Sequence, residues 1–161
     1  MDPEHSVQYP TGGAAAVIDL DNLLHRGFDK RTRCPRPQAQ LDILGICAAL
    51  RERGVTSGTV CRNRQFPPLA EKMWTKLGFK VVAANENCDA KVMEAAAAYA
   101  EARVDDLVLV GGDGDYTGMV SKLRARNISV EVWSRSANTS QSLIKSADAV
   151  RFIDRFLACA A

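Results

Sequence analysis

Short apolar runs alternate along this chain with longer stretches that carry apolar residues every third or fourth position, which predicts strands and helices taken in turn. Ala14 to Leu20 is apolar except for Asp19, the pattern of a strand covered on both faces. A basic loop from His25 to Pro37 leads to a predicted helix over Gln38 to Arg53, with Leu41, Leu44 and Ala48 on one stripe and Gly54 as its stop. Val55 to Cys61 reads as the second strand. Pro67 then opens a second helix through Leu69, Met73 and Leu77, closed by Gly78, and Lys80 to Ala84 follows as a third strand. Asp89 to Arg103 is an Ala-rich helix able to pack closely on a sheet, and Leu107 to Val110 is a short fourth strand. Tyr116 to Arg126 repeats the helical pattern through Met119, Val120 and Leu123. Ser129 to Trp133 gives a fifth strand, Gln141 to Ser146 a short helix, and Val150 to Ile153 an edge strand. Strands alternating with helices imply an α/β fold: a mostly parallel sheet with helices on both faces, joined by right-handed crossovers. Trp74 and Trp133 fall where they serve the core rather than stack on bases.

With 161 residues, 47% of them hydrophobic, the chain fits one domain, read as residues 14–157 behind a polar, flexible leader over residues 1–13. The five cysteines, Cys34, Cys47, Cys61, Cys88 and Cys159, form no CxxC pair, and His5 and His25 stand far from any metal-finger spacing, which argues against a zinc module. The first residues lack the basic start and apolar stretch of a secretory signal, and no apolar run approaches a membrane span. A cytoplasmic protein with reduced cysteines and no membrane partner is the expectation. A formal net charge of +2 is too small to announce a nucleic-acid partner, so the placement of charges has to decide.

In open parallel sheets, ligands bind beyond the carboxyl ends of the strands, near the point where strand order reverses. Asp19 closes the first strand, Asp113 and Asp115 follow the fourth, and Asp89 opens the helix after the third strand's loop. Each acid has a plainer role available: Asp19 turning the chain, Asp115 capping the Tyr116 helix, Asp113 sitting in a Gly-flanked turn, Asp89 favouring a helix N-terminus. Their meeting at one edge outweighs those separate roles, since clustered carboxylates repel and raise one another's pKa values unless something positive neutralises them. Mg2+ or Mn2+ suits such a set, because either takes oxygen ligands without histidine or thiolate.

Around that edge the charges change sign. Arg26, Lys30, Arg31, Arg33 and Arg36 crowd the loop after the first strand against the single acid Asp29, while Arg62 and Arg64 follow the second strand and Arg135 the fifth. An acidic centre with a basic rim suits an anionic polymer that brings phosphates over a cation, with a homodimer allowed. His25 stays outside the catalytic set. Thr139 or Ser140 reads as the cap of the short helix that also carries Ser142, Cys88 as a buried filler, and Asp148 as the shaper of the turn into the last strand.

IDLDN at Ile18 to Asn22, the helix-opening Asp89, GGDGDY at Gly111 to Tyr116 and SADAVRFID at Ser146 to Asp154 resemble, in this order, the marks of the NYN family of PIN-like nucleases, which includes LabA-like bacterial proteins. The resemblance implies a three-layer PIN-like fold and Mg2+- or Mn2+-dependent cleavage of RNA. Asp19, Asp89, Asp113 and Asp115 match the family acids as metal ligands and candidate catalytic residues, and Asn22 matches the asparagine beside the first acid, where it positions rather than reacts. Two positions depart from the family: Glu86 stands where a lysine is frequent, and Ala95 where the helix often carries a further acid.

Rival readings come from other classes. VIDLDNLL also resembles the start of a haloacid-dehalogenase-type phosphatase with Asp19 as nucleophile, although Asn22 and Leu23 follow where that family has Thr or Val. A non-catalytic RNA-binding protein of the same fold is the second rival. A nucleotide-binding module is weaker, because GGDGDY is neither GxGxxG nor a Walker loop.

Overall fold

A computed structural model of the chain describes residues 12–27 and 29–158. The elements run β1 (Ala14–Asp19), α1 (Leu20–Leu24), β2 (Gln40–Leu41), α2 (Ile43–Glu52), β3 (Val55–Arg62), α3 (Pro68–Lys76), β4 (Phe79–Ala83), α4 (Asp89–Glu101) and β5 (Asp106–Val110). A 3-10 turn (Gly114–Tyr116), α5 (Thr117–Ala125), β6 (Ser129–Ser134), α6 (Gln141–Ser146), β7 (Ala149–Phe152), a second 3-10 turn (Asp154–Phe156) and β8 (Leu157–Ala158) complete it. Six strands form one sheet in the order β4-β3-β1-β5-β6-β7, every pair parallel, and β2 pairs antiparallel with β8 apart from it. The expected α/β sheet is therefore wholly parallel.

Strand alternation divides the core between the two faces of the sheet. Ala15 and Val17 of β1 with Leu107 and Leu109 of β5 join the cluster beneath α4 and α5, where Val92, Ala96, Tyr99, Tyr116 and Val120 pack. Ala14, Ala16 and Ile18, with Val108 and Val110, join the opposite cluster, with Ile46 and Leu50 of α2 and Trp74 of α3. Helices cover both faces and make the three layers of a PIN-like fold. Alanines in α4 let its backbone lie close to the sheet, and Ala95 is one of them, so this helix offers the site no acid at that position. Trp74 and Trp133 are both fully buried, in line with the sequence expectation.

The chain folds outward from β1 to β3 and β4, then returns to β5 on the other side of β1 and continues to β6 and β7. Strand order thus reverses at β1, and the crevice belongs beyond the carboxyl ends of β1 and β5.

Three local expectations need correction. The helix predicted from Gln38 begins only at Ile43, where Asp42 caps it by accepting from Gly45 N at 2.9 Å, while Gln40–Leu41 leave as β2. A stripe counted from Leu41 starts outside the helix and runs along its solvent side: Leu44 is 61% exposed, whereas Ile46, Cys47, Ala49 and Leu50 are buried. In α3 the helical spacing makes Leu69, in the first turn, look internal, yet it is exposed and Trp74 fills the core. Leu20 leaves the first strand for a short helix, α1, which the basic loop follows.

The leader expected over residues 1–13 lies outside the described residues as far as residue 11. Its last two glycines are tied to the body, Gly12 N to Arg103 O at 3.1 Å and Gly13 N to Asp105 Oδ2 at 3.1 Å. Among the described residues no helix is long and apolar enough to cross a membrane.

The corrected face of α2 has a direct test. Ile46→Ala is expected to cost about 2–5 kcal/mol, as for other buried aliphatic truncations, while Leu44→Ala stays within about 0.5 kcal/mol of the parent. Urea unfolding midpoints read both, and equal losses at the two positions would return the buried face to Leu44.

Candidate metal centre

Asp19 reaches the site by the arithmetic of its strand. After Ala15 and Val17 it is the next residue facing the α4–α5 side, and it pairs with Cys61 at the end of β3. It is 2% exposed, and three donors meet it. Tyr116 donates its hydroxyl to Oδ2 at 2.6 Å, while the Cys88 thiol, at 3.2 Å, and Asn22 N, at 3.2 Å, serve Oδ1. Burial pushes the Asp19 carboxyl above its ordinary 3.8; the Tyr116, Cys88 and Asn22 hydrogen bonds pull the other way without overcoming it, and the charge of Asp89 adds to the rise. Burial and the neighbouring carboxylates likewise push the Tyr116 phenol and the Cys88 thiol up, so both groups act here as donors.

The turn after β5 is shaped by what lies against it. A side chain at Gly112 would run into Thr139 Cα at 3.0 Å and Asn138 O at 3.1 Å, so only glycine lets the two loops close together. Asn22 Oδ1 accepts from Gly112 N at 2.7 Å and fastens the turn to α1. Asp113 then caps the 3-10 turn by accepting from Asp115 N at 3.0 Å, and Tyr116 turns inward beneath it.

The sequence-derived acids meet at one edge but divide into two sets. Ligand atoms of Asp89, Asp113 and Asp115 lie within 4.8 Å of one another, and those of Asp19, Asp21 and Cys88 do the same deeper in. A pocket of about 500 Å³ has Asp19, Asp21, Asn22, Cys88, Asp89 and Asp113 among its lining residues. Asp115 is exposed and stands outside that lining. The outer set is all oxygen, which fits a hard divalent cation. Three charges this close repel by roughly 1 to 3.5 kcal/mol per pair, depending on how well water screens them, and a cation reverses the sign of that energy. In the inner set Cys88 is a protonated donor, so the thiol is not an oxygen-like ligand there.

Asp21, Cys88 and Tyr116 are site residues that sequence reasoning left out. Asp21 was within reach of it, standing in the quoted IDLDN; it accepts from Asn63 N at 2.6 Å and so also fixes the loop after β3. Tyr116 was legible as an aromatic after GGDGD, but its hydroxyl partners were not.

The basic residues separate by burial. Lys30, Arg31, Arg33 and Arg36 are exposed on the loop that Asp29 shapes, its carboxylate accepting from Arg31 N at 2.8 Å and Thr32 N at 3.0 Å. Those backbone bonds hold the Asp29 carboxyl below its ordinary value. Arg26 donates to Pro37 O at 3.3 Å and Arg64 to Gln38 Oε1 at 3.4 Å, while the Arg62 guanidinium lies 5.5 Å from the centre of the Phe66 ring. Arg135, expected on the rim, is 8% exposed and donates to His25 O at 2.8 Å, an oxygen that Asn138 also reaches at 3.2 Å. It anchors the root of the loop, and His25 and Gly27 there line the pocket.

The raised carboxyl of Asp19 has a consequence for stability. Between the unfolded value and the higher folded value the native state holds more protons, so stability falls as pH rises through that window and stays low above it. Asp19→Asn keeps the shape and an acceptor while removing the charge. In chelator its thermal midpoint is expected to gain on the parent as pH climbs above 3.8. A constant difference across that range would mean that Asp19 is as well solvated folded as unfolded.

No curated protein matches this chain. Among solved structures, a protein of unknown function from Vibrio parahaemolyticus, VPA0982, is similar at 22% identity with a TM-score of 0.70, covering 98% of this chain and 99% of that one. The cobalt-bound deoxy-D-mannose-octulosonate 8-phosphate phosphatase of Haemophilus influenzae is similar at 14% identity with a TM-score of 0.48, over 84% of this chain and 75% of that one. The model of the NYN domain matches residues 14–156, nearly the whole length. The chain belongs to the NYN domain family, within the PIN-like nuclease superfamily.

Proposed function

We propose that this protein is a divalent-cation-dependent ribonuclease that cleaves phosphodiester bonds of RNA over the pocket bounded by Asp19, Asp89 and Asp113. The observation that carries the reading is the approach of the Asp89, Asp113 and Asp115 carboxylates to within 4.8 Å of one another beside that pocket. These three acids would hold Mg2+ or Mn2+, with Asp19 behind them as a fixed negative group. Such a cation, when bound, supplies a more acidic water and Lewis-acid stabilisation of charge gathering on phosphate oxygens. The chain's own groups do the arranging. Asn22 holds the turn that carries Asp113, and the exposed cations Lys30, Arg31, Arg33 and Arg36 would offer phosphate contacts on the loop whose first residues, His25 and Gly27, line the pocket.

The phosphatase reading asks Asp19 to attack a phosphorus atom. Its carboxylate is buried and both oxygens already accept hydrogen bonds, which leaves a poor nucleophile. A scaffold that only binds RNA has no use for three mutually repelling acids.

Cleavage of a fluorogenic RNA with Mn2+, Mg2+ or chelator, beside Asp113→Asn, tests the reading. The variant keeps the acceptor that caps the 3-10 turn but removes a charged ligand. Cleavage is expected to fall at least about 100-fold, more than a supporting residue costs, while the thermal midpoint in chelator holds or rises as repulsion is relieved. Full cleavage by the variant would reduce Asp113 to a turn former, and a collapsed midpoint would make it structural.

The loop has a separate readout. Neutralising Arg31, Arg33 and Arg36 together is expected to flatten the dependence of log affinity on log salt by up to about 2, at about 0.7 per contact to a single strand. An unchanged slope in a filter-binding titration would take the loop off the RNA surface.

A further inference from the structure

Tyr116 is wholly buried, yet its hydroxyl reaches carboxylates brought from two distant parts of the chain, 2.6 Å from Asp19 Oδ2 and 3.0 Å from Asp89 Oδ1. A phenol has one proton to give. The shorter contact falls in the range of a charge-assisted O–H···O bond, so Asp19 takes the larger share and Asp89 is held by what remains. Asp19 belongs to the inner set and Asp89 to the outer, so this one hydroxyl links them. Its origin matters as well. Tyr116 ends the same 3-10 turn that presents Asp113 and Asp115, so a single turn supplies two of the outer acids and the group that holds the third.

We propose that Tyr116 is a positioning residue whose hydroxyl fixes the Asp89 carboxylate beside Asp113 and Asp115 and ties it to buried Asp19, so that a divalent cation meets a preformed set of oxygens. The proposal rests on the reading of these acids as a cation site. Without the hydroxyl, Asp89 keeps its place at the start of α4 but regains rotamer freedom, which must be lost again on binding. Phenylalanine would preserve the packing around Val120 and Val92 and remove only the shared proton. A cation that draws on the Asp89 oxygens makes them poorer acceptors, so the phenol proton moves further toward Asp19, whose burial calls for a donor.

The test is a Mn2+ titration of chelator-stripped protein, with free Mn2+ followed by its paramagnetic resonance signal, on the parent, Tyr116→Phe and Tyr99→Phe. Tyr99 is the matched control: it lies in the same core cluster and its hydroxyl bonds Thr59 at 3.0 Å, so a loss that comes merely from deleting a buried phenol hydroxyl would appear there too. Tyr116→Phe is expected to bind Mn2+ about tenfold more weakly with its circular dichroism unchanged, and Tyr99→Phe to bind like the parent. Parental affinity in Tyr116→Phe, or equal weakening in both variants, overturns the proposal and leaves the cation site standing. A parent that binds no Mn2+ overturns the cation site itself and this role with it. Should Tyr116→Phe fail to fold, the near-ultraviolet absorption of Tyr99→Phe decides. Spectroscopically silent Mg2+ is expected to shift its tyrosine band through Tyr116, and an unmoved band at saturating Mg2+ overturns the proposal.

Discussion

A carboxylate stands at the buried end of the central strand of a wholly parallel sheet, and much around it serves to make that tolerable. An ionised group taken out of water costs several kcal/mol unless hydrogen bonds or opposite charge replace its hydration. Among the described residues Asp19 has no ion-pair partner; it has a phenol, a thiol and a backbone amide. These come from the turn after β5, the start of α4 and the first turn of α1. The folding of three separate segments onto β1 is thereby coupled to one side chain. Those donors are not enough to bring the carboxyl back to its ordinary acidity. The residual deficit is what one expects of a site that trades stability for function.

The sheet order explains why the donors can converge. Because β1 lies between β3 and β5, its carboxyl end is flanked by two loops that leave in different directions, and a gap opens there. Both sides of that gap bring acids: the α1 and β3 side contributes Asp21 and its bond to Asn63 N, the start of α4 after β4 contributes Asp89, and the β5 side Asp113 and Asp115. Asn22 crosses the gap to Gly112, and Tyr116 crosses beneath it. Two short bonds from residues of unlike chemistry thus set the width of the opening.

How much of this was legible in the sequence follows the range of the interaction concerned. Strand positions, and the acids that end or follow strands, are local properties, and unbroken apolar runs such as Ala14 to Ile18, closed by Asp19, state them outright. Helix faces were less secure. In α2 the error came from counting a stripe across a strand residue, Leu41, whose pairing partner Leu157 lies far along the chain. Tyr116 was visible only as an aromatic, since the partners that give its hydroxyl meaning are 97 and 27 residues away. Arg135 shows the same limit from the other side. A lone arginine after a strand looks like rim charge, and only the fold reveals that the carbonyl of His25 waits for it.

That arginine also bears on how a chain of net charge +2 can hold a strongly polarised face. The loop after α1 is pinned at its root, where Arg135 and Asn138 both reach the His25 carbonyl, and shaped at its crest by Asp29. The loop that carries exposed Lys30, Arg31, Arg33 and Arg36 thus starts from His25 and Gly27, which line a pocket shared with Asp19, Asp21, Asp89 and Asp113. Charges of opposite sign held apart in this way cancel in the total but not in the local field, which within a Debye length of about 8–10 Å still distinguishes the two regions. On the reading proposed above, an RNA would meet attraction first at the loop and a divalent cation first at the acids, so the two would not compete for the same groups.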